Sequence, residues 1–271
     1  MGTAITQTWT DCEIVAPPHD ALQLEDSSAV EATLRDTRAG TIVNAAAFAD
    51  VDRCEVESDR AMEINAYAVG RAAELAARND AVLLTLSTDY VFDGSKGSPY
   101  LEGDAPHPLS AYGRSKLEGE RLVAECGAHA FVVRTCGIYG ASRSARGRRA
   151  FLDRVLGDGG TDTMQVVSDV TVSPTFAGDL AVALRGLLTS QRYGLYHAVN
   201  AGAVSWYDFA VEAARQAGSS ARIEPIAASE WKAPALRPRY SALENERLRE
   251  IGIALPSWHE GIASYLRSRR S

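Results

Sequence analysis

Short apolar runs bounded by polar residues alternate along the chain with longer segments in which apolar positions recur every three or four residues. Glu13 to Ala16, Thr41 to Ala47, Ala81 to Leu86, Phe131 to Arg134 and Tyr193 to Asn200 read as strands. Ser28 to Arg38, Ala61 to Arg78, Ala111 to Glu125 and Thr175 to Leu188 read as helices. Parallel neighbours need a crossover connection, so this alternation predicts an α/β chain with a mostly parallel sheet covered on both faces. Ligands of such sheets bind beyond the carboxyl ends of the strands, which places Asn44 and Ser87 along the expected crevice.

After Gly140 the rhythm changes. The arginine-rich run Arg143 to Arg149, the turn Gly157-Asp158-Gly159-Gly160 and the Pro-rich stretch from Lys232 to Arg239 predict a smaller lobe built from insertions. The expected division is residues 1–149 with 175–200 for the sheet domain, and 150–174 with 201–271 for the lobe. Arg143 to Arg149 reads as a solvated loop rather than an anion site, because charge runs usually are solvated.

The 271 residues are 46% hydrophobic and 23% charged, enough to bury a large core. A net charge of −7, from 28 basic against 35 acidic residues, lacks the basic surplus of a nucleic-acid binder and favours small-molecule chemistry. No run approaches the roughly 20 apolar residues that span a bilayer, and no signal core opens the chain, so no membrane association and a cytoplasmic location are expected. Cys12, Cys54, Cys126 and Cys136 are scattered without metal-ligand spacing, so reduced thiols and no metal are expected.

Tyr112 and Lys116 stand one helical turn apart and share a face. A neighbouring ammonium favours the phenolate, so the pair is a candidate proton donor with a tyrosine pKa drawn down from about 10. Upstream, the strand Leu84-Thr85-Leu86 runs into Ser87-Thr88-Asp89-Tyr90-Val91-Phe92-Asp93-Gly94, where a hydroxyl could support the developing charge on a substrate carbonyl. The same Ser-Thr-Asp is equally good turn and cap chemistry. Asn44-Ala45-Ala46-Ala47-Phe48 offers small residues at a strand end, suited either to a flat ligand or to a tight strand–helix junction.

In this order the segments resemble the dTDP-4-dehydrorhamnose reductase family of the extended short-chain dehydrogenase/reductase superfamily. The resemblance also rests on Arg134-Thr135 with Tyr139-Gly140, Val172-Ser173-Pro174-Thr175, Gly194-Leu195-Tyr196-His197 through Asn200, Ser205-Trp206-Tyr207, Arg237-Pro238-Arg239-Tyr240-Ser241 and Leu255-Pro256-Ser257-Trp258. It implies a doubly wound Rossmann-type domain for NADPH or NADH and a C-terminal substrate-binding lobe for a nucleotide-linked 4-keto-6-deoxy sugar, with a homodimer allowed. Carried over by position, Tyr112 would donate the proton, Lys116 would hold the nicotinamide ribose and lower the tyrosine pKa, and Thr88 would orient the keto group with Asp89 beside it. Gly2, Ala46, Ala47, Phe48 and Ser87 would border the cofactor, and Gly137 the sugar.

The chain departs from the family pattern at three places. Met1-Gly2-Thr3-Ala4-Ile5 resembles the last glycine of the family's phosphate turn and the start of its helix, so either a strand and turn lie upstream or dinucleotide binding is weak. Val15-Ala16 is followed by Pro17-Pro18-His19 with no carboxylate, which permits NADP without excluding NAD. Gly137 stands where the family commonly has tryptophan, so either the pocket is larger and takes another deoxysugar, or a second aromatic such as Trp206 fills the space. The competing expectation from another class is a non-catalytic relative resembling the regulatory β subunit of methionine adenosyltransferase.

Overall fold

The computed structural model describes residues 1–18, 21–140, 151–156 and 163–269. The loop expectations for Arg143 to Arg149 and Gly157 to Gly160 lie outside the described residues, as does His19. The helices are α1 (Gly2–Thr8), α2 (Ser27–Thr37), α3 (Val51–Val56), α4 (Ser58–Met62), α5 (Ala68–Arg78), α6 (Ala111–Glu125), α7 (Phe151–Leu156), α8 (Ala177–Ser190), α9 (Trp206–Ala217), α10 (Glu246–Glu250) and α11 (Trp258–Ser268). The strands are β1 (Thr41–Asn44), β2 (Val82–Thr88), β3 (Ala130–Thr135), β4 (Ile138–Tyr139), β5 (Thr163–Val167), β6 (Thr171–Val172), β7 (Thr175–Phe176), β8 (Gly194–His197), β9 (Val204–Ser205) and β10 (Arg222–Ile226).

The central sheet runs β1-β2-β3-β8, parallel throughout, with Asn44 opposite Thr85, Thr88 opposite Thr135 and Arg134 opposite His197. β3 is buried along its whole length, as expected of a strand covered on both faces. One face packs Leu84, Phe131 and Val133 against Ile5 and Trp9 at α1 and Leu180, Leu184 and Leu187 of α8. The other packs Leu83 and Val132 against Val69, Ala73 and Ala76 of α5 and Val123 of α6. The Trp9 indole N–H donates to the Ala181 carbonyl at 2.8 Å and pins the end of α1 to α8. A separate core joins Leu152 and Val155 of α7, Val166 of β5, Phe209 and Ala213 of α9, and Ile262 and Tyr265 of α11.

Three expected elements differ. Glu13 to Ala16 is not a strand: among the described residues β1 pairs only with β2, and three of those four residues are exposed, so no ladder fixes the segment. The helix expected over Ala61 to Arg78 begins at Ser58 and is interrupted by a π turn over Glu63–Tyr67. Thr175 and Phe176, expected in a helix, instead form β7 beside β4 before α8 begins at Ala177. α6 has the expected bounds, because Ser110 caps it by accepting from the Gly113 N–H at 3.1 Å and Gly127, at φ 65°, ends it.

Candidate active site

β2 delivers Thr88 to the carboxyl edge of the sheet, and the first turns of α6 bring Tyr112 and Lys116 over it. Thr88 Oγ1 accepts from the Tyr90 N–H at 3.1 Å and donates to Asp89 Oδ1 at 3.1 Å. The Thr88 hydroxyl also acts on the Tyr112 phenol, favouring its ionised form. Close approach depends on Gly113, where an added Cβ would lie 2.2 Å from the Tyr90 carbonyl oxygen. Glu55 of α3 completes the helix start by accepting from the Ala111 N–H at 2.7 Å.

The phenol is not an easy acid in this setting. Burial pushes Tyr112 above its ordinary value, the Thr88 hydroxyl opposes that, and Asp89 adds to the rise. The expectation from the pairing with Lys116 was a lowered tyrosine; in the ligand-free protein burial is the largest influence and Tyr112 is raised. Lys116 is itself lowered to about 8 by burial, against which Glu120, one turn further along α6, raises it. Only 4% of the Lys116 surface is exposed, and among the described residues it makes no ion pair. A buried ammonium calls for oxygen acceptors, and the hydroxyl pair of a ribose supplies them, so the site fits a dinucleotide at this point.

The loop after β1 is shaped by Asn44, whose Oδ1 accepts from the Ala46 N–H at 3.1 Å while its Nδ2 donates to Thr85 Oγ1 at 3.1 Å. This presents Ala46 and Ala47 at the surface, free to meet a flat ligand. Phe48 does not join them. Its ring is buried against Cys54, Ala61, Ile64 and Ala111, so its side chain packs the loop down rather than bordering the crevice. Asn65 in the π turn holds the Phe48 backbone from both sides, accepting from its N–H at 2.9 Å and donating to its carbonyl at 3.0 Å. The same amide donates to Ser115 Oγ at 3.0 Å, which ties loop, π turn and α6 together beside Lys116.

Two further expected contacts have other commitments. Ser87 hydrogen-bonds Glu120, which also takes Arg134 Nη2 at 2.6 Å and Nε at 3.0 Å, so its hydroxyl serves a buried network between β2, β3 and α6. Asp89, expected beside the sugar, is 3% exposed, and its Oδ2 accepts from Ser241 Oγ at 2.5 Å and Cys136 Sγ at 3.1 Å. Burial raises it to about 6 although those hydrogen bonds pull the other way.

Gly137 has φ 52°, and a Cβ there would lie 2.9 Å from the tip of the Trp206 ring. Trp206 therefore occupies the space beside the glycine, as the second of the two expectations for this position had it. Gly2 is exposed at the start of the seven-residue α1. Sequence reasoning missed Asn65 and Ser115, although a polar residue four positions from Ala61 and from Val69, on the apolar stripe of the predicted helix, is a signal that could have found the first.

The profile described as RmlD substrate binding domain matches residues 1–271. The chain belongs to this family. Within it, the chain is 36% identical to a dTDP-4-dehydrorhamnose reductase of Sinorhizobium fredii, covering 94% of this chain and 88% of that protein. It is 37% identical to a probable dTDP-4,6-dihydroxy-2-methyloxan-3-one 4-ketoreductase of Streptomyces antibioticus, over 92% and 85% of the two chains. A crystal structure of dTDP-4-dehydrorhamnose reductase from Bacillus anthracis in complex with NADP superposes with a TM-score of 0.93 at 32% identity, covering 98% of this chain and 95% of that one. No helix among the described residues of this RmlD-family chain is long and apolar enough to cross a membrane.

Proposed function

We propose that the chain is an oxidoreductase that reduces the 4-keto group of a dTDP-linked 4-keto-6-deoxy sugar with NADPH or NADH. The observation that carries this reading is Tyr112 one helical turn from a buried Lys116 at the start of α6, which packs on the turn that follows Thr88 at the carboxyl end of β2. Lys116 would hold the ribose hydroxyls of the cofactor, and Ala46 and Ala47 would lie along it. When bound, the nicotinamide supplies a hydride. The sheet portion, 1–149 with 175–200, would carry the cofactor, and 150–174 with 201–271 would close over the sugar.

The remaining chemistry belongs to the chain. Tyr112 gives its proton to the sugar oxygen, and Thr88 fixes where that oxygen sits. The elevated tyrosine pKa keeps the phenol protonated before the reaction, and the desolvation that raises it also strengthens each hydrogen bond to the developing oxyanion. Trp206 beside Gly137 restores an aromatic wall, which supports a sugar of ordinary deoxyhexose size.

The test is oxidation of NADPH and NADH by the protein across a panel of dTDP-4-keto-6-deoxyhexoses. Turnover dependent on both partners is expected. Absence of turnover with every sugar and both coenzymes would favour a binding role for the fold.

A further inference from the structure

Residues 235–241 form a strap held at both ends by carboxylates of the sheet portion. At one end Asp52, in the first turn of α3, accepts from the Ala235 N–H on Oδ1 at 3.2 Å and from Arg237 Nη2 on Oδ2 at 2.9 Å. Arg237 Nη1 turns back on the Ala235 carbonyl at 3.1 Å, so one carboxylate and one guanidinium close a bend in the strap. At the other end Ser241 Oγ donates to Asp89 Oδ2 at 2.5 Å, one residue beyond Thr88. Between them the strap rests on Gly94, whose φ is 81° and where a Cβ would lie 2.8 Å from Pro238 Cβ. It is also joined to β6, since the Thr171 N–H donates to the Arg239 carbonyl at 2.8 Å and the Ser241 N–H to the Thr171 carbonyl at 2.9 Å.

The Asp52 end of the strap meets the site through α3. This helix follows the loop that carries Ala46 and Ala47, and its Cys54 packs with Phe48 and Ala111. Glu55, three residues after Asp52, accepts from the Ala111 N–H at 2.7 Å, at the start of α6 and next to Tyr112. Positions three apart on a helix lie on one face about a turn from each other, and a single turn moves as a unit. A shift of Asp52 is therefore a shift of the loop before it and of the helix start that carries Tyr112. The Asp52 and Arg237 side chains are 37% and 29% exposed, and ion pairs this open add little to stability. Their loss leaves the fold in place and changes how its parts are aligned.

We propose that Asp52 and Arg237 are positioning residues, whose clamp joins the lobe that closes over the sugar to the loop and helix start that face the cofactor, and so sets the alignment of hydride donor and keto carbon. Neither touches a reactant: Asp52 acts through the loop before α3 and through Glu55, and Arg237 acts through the strap. The effect on turnover rests on the reductase reading, whereas the link between strap, α3 and the start of α6 does not.

The experiment compares the full-length wild type with Asp52→Asn, Arg237→Ala and the double variant. Arg239→Ala, which breaks the strap's 3.2 Å pair with Asp169 before β6, is the control. Hydrogen exchange followed by mass spectrometry on the ligand-free proteins reads the link. Exchange should rise together in residues 235–241, 44–56 and 111–116 of both single variants, no further in the double variant, and should stay at the wild-type level in residues 44–56 and 111–116 of the control. With a dTDP-4-keto-6-deoxyhexose, kcat should fall roughly tenfold or more in the single variants at little change in KM for either partner. The deuterium isotope effect with 4-deuterated NADPH should rise in the same variants, as misalignment makes hydride transfer limiting, and not in the control. Exchange that rises in residues 235–241 alone would overturn the proposal. So would a coupled rise in exchange with kcat and isotope effect unchanged, which is the signature of a purely structural clamp. A coupled rise with no turnover of any sugar by the wild type would support the link and sink the reductase reading.

Discussion

Gly113 lies so close to Tyr90 that a Cβ at position 113 would sit 2.2 Å from the Tyr90 carbonyl oxygen. The residue before Gly113 is the proposed proton donor and the turn that carries Tyr90 begins at Thr88, so this one backbone contact sets the distance between the two halves of the reacting pair. Gly113→Ala should force α6 away from that turn. A fold that survives at a cost of about 1–3 kcal/mol is expected, together with a fall in kcat on the order of a hundredfold, since a displacement near 1 Å is enough for that. Thermal melting and steady-state kinetics on the same variant check both halves.

The ion pair between Arg134 and Glu120 is closed to solvent, with side chains 4% and 9% exposed, and Glu120 also takes the Ser87 hydroxyl. Removing one partner leaves the other charge buried and uncompensated. Glu120→Ala should lower unfolding free energy by about 3–5 kcal/mol, read from denaturant titration, and should lower the Lys116 pKa further because the carboxylate that supports its charge is gone.

The sheet was legible in the sequence because β2 and β3 open on the apolar runs Val82-Leu83-Leu84 and Ala130-Phe131-Val132-Val133, as a strand covered on both faces requires. α6 was legible because its cap and its terminating glycine stand where helix chemistry needs them. Glu13 to Ala16 carried the same local pattern and failed, since a strand exists only where a neighbour completes its hydrogen bonds. Within the site, the shared face of Tyr112 and Lys116 on α6 was readable from their spacing, and the place of Thr88 from the strand it ends. The engagements of Asp89 with Ser241 and Cys136 were not, because they join positions 152 and 47 residues apart through tertiary packing. The packing of the Phe48 ring and the bond from Ser87 to Glu120 were not readable for the same reason: a position at a strand end says nothing of which way its side chain turns.

His197 on β8 is fully buried, and its Nδ1–H donates to the carbonyls of Tyr100 and Glu244 at 3.1 and 3.2 Å. Burial, with Arg134 adding to it, lowers its pKa to about 3, so the folded state holds the ring neutral. That stabilisation is fully present above the unfolded value of about 6.5 and is lost as pH falls from there toward 3. Asp89, raised to about 6, works in the opposite sense below that pH. The histidine contribution is therefore read by difference: between pH 7 and pH 5 the wild type should lose about 2 kcal/mol more than His197→Asn, measured by urea unfolding at each pH.

The central claim is proton donation by Tyr112 to a sugar ketone. The most direct measurement follows deuterium from 4-deuterated NADPH into carbon 4 of a dTDP-4-keto-6-deoxyhexose by mass spectrometry, for the wild type and for Tyr112→Phe. Labelled product from the wild type and at least a hundredfold slower labelling by the folded variant is the predicted result. Equal labelling rates, or a wild type that leaves the sugar unlabelled, would contradict it.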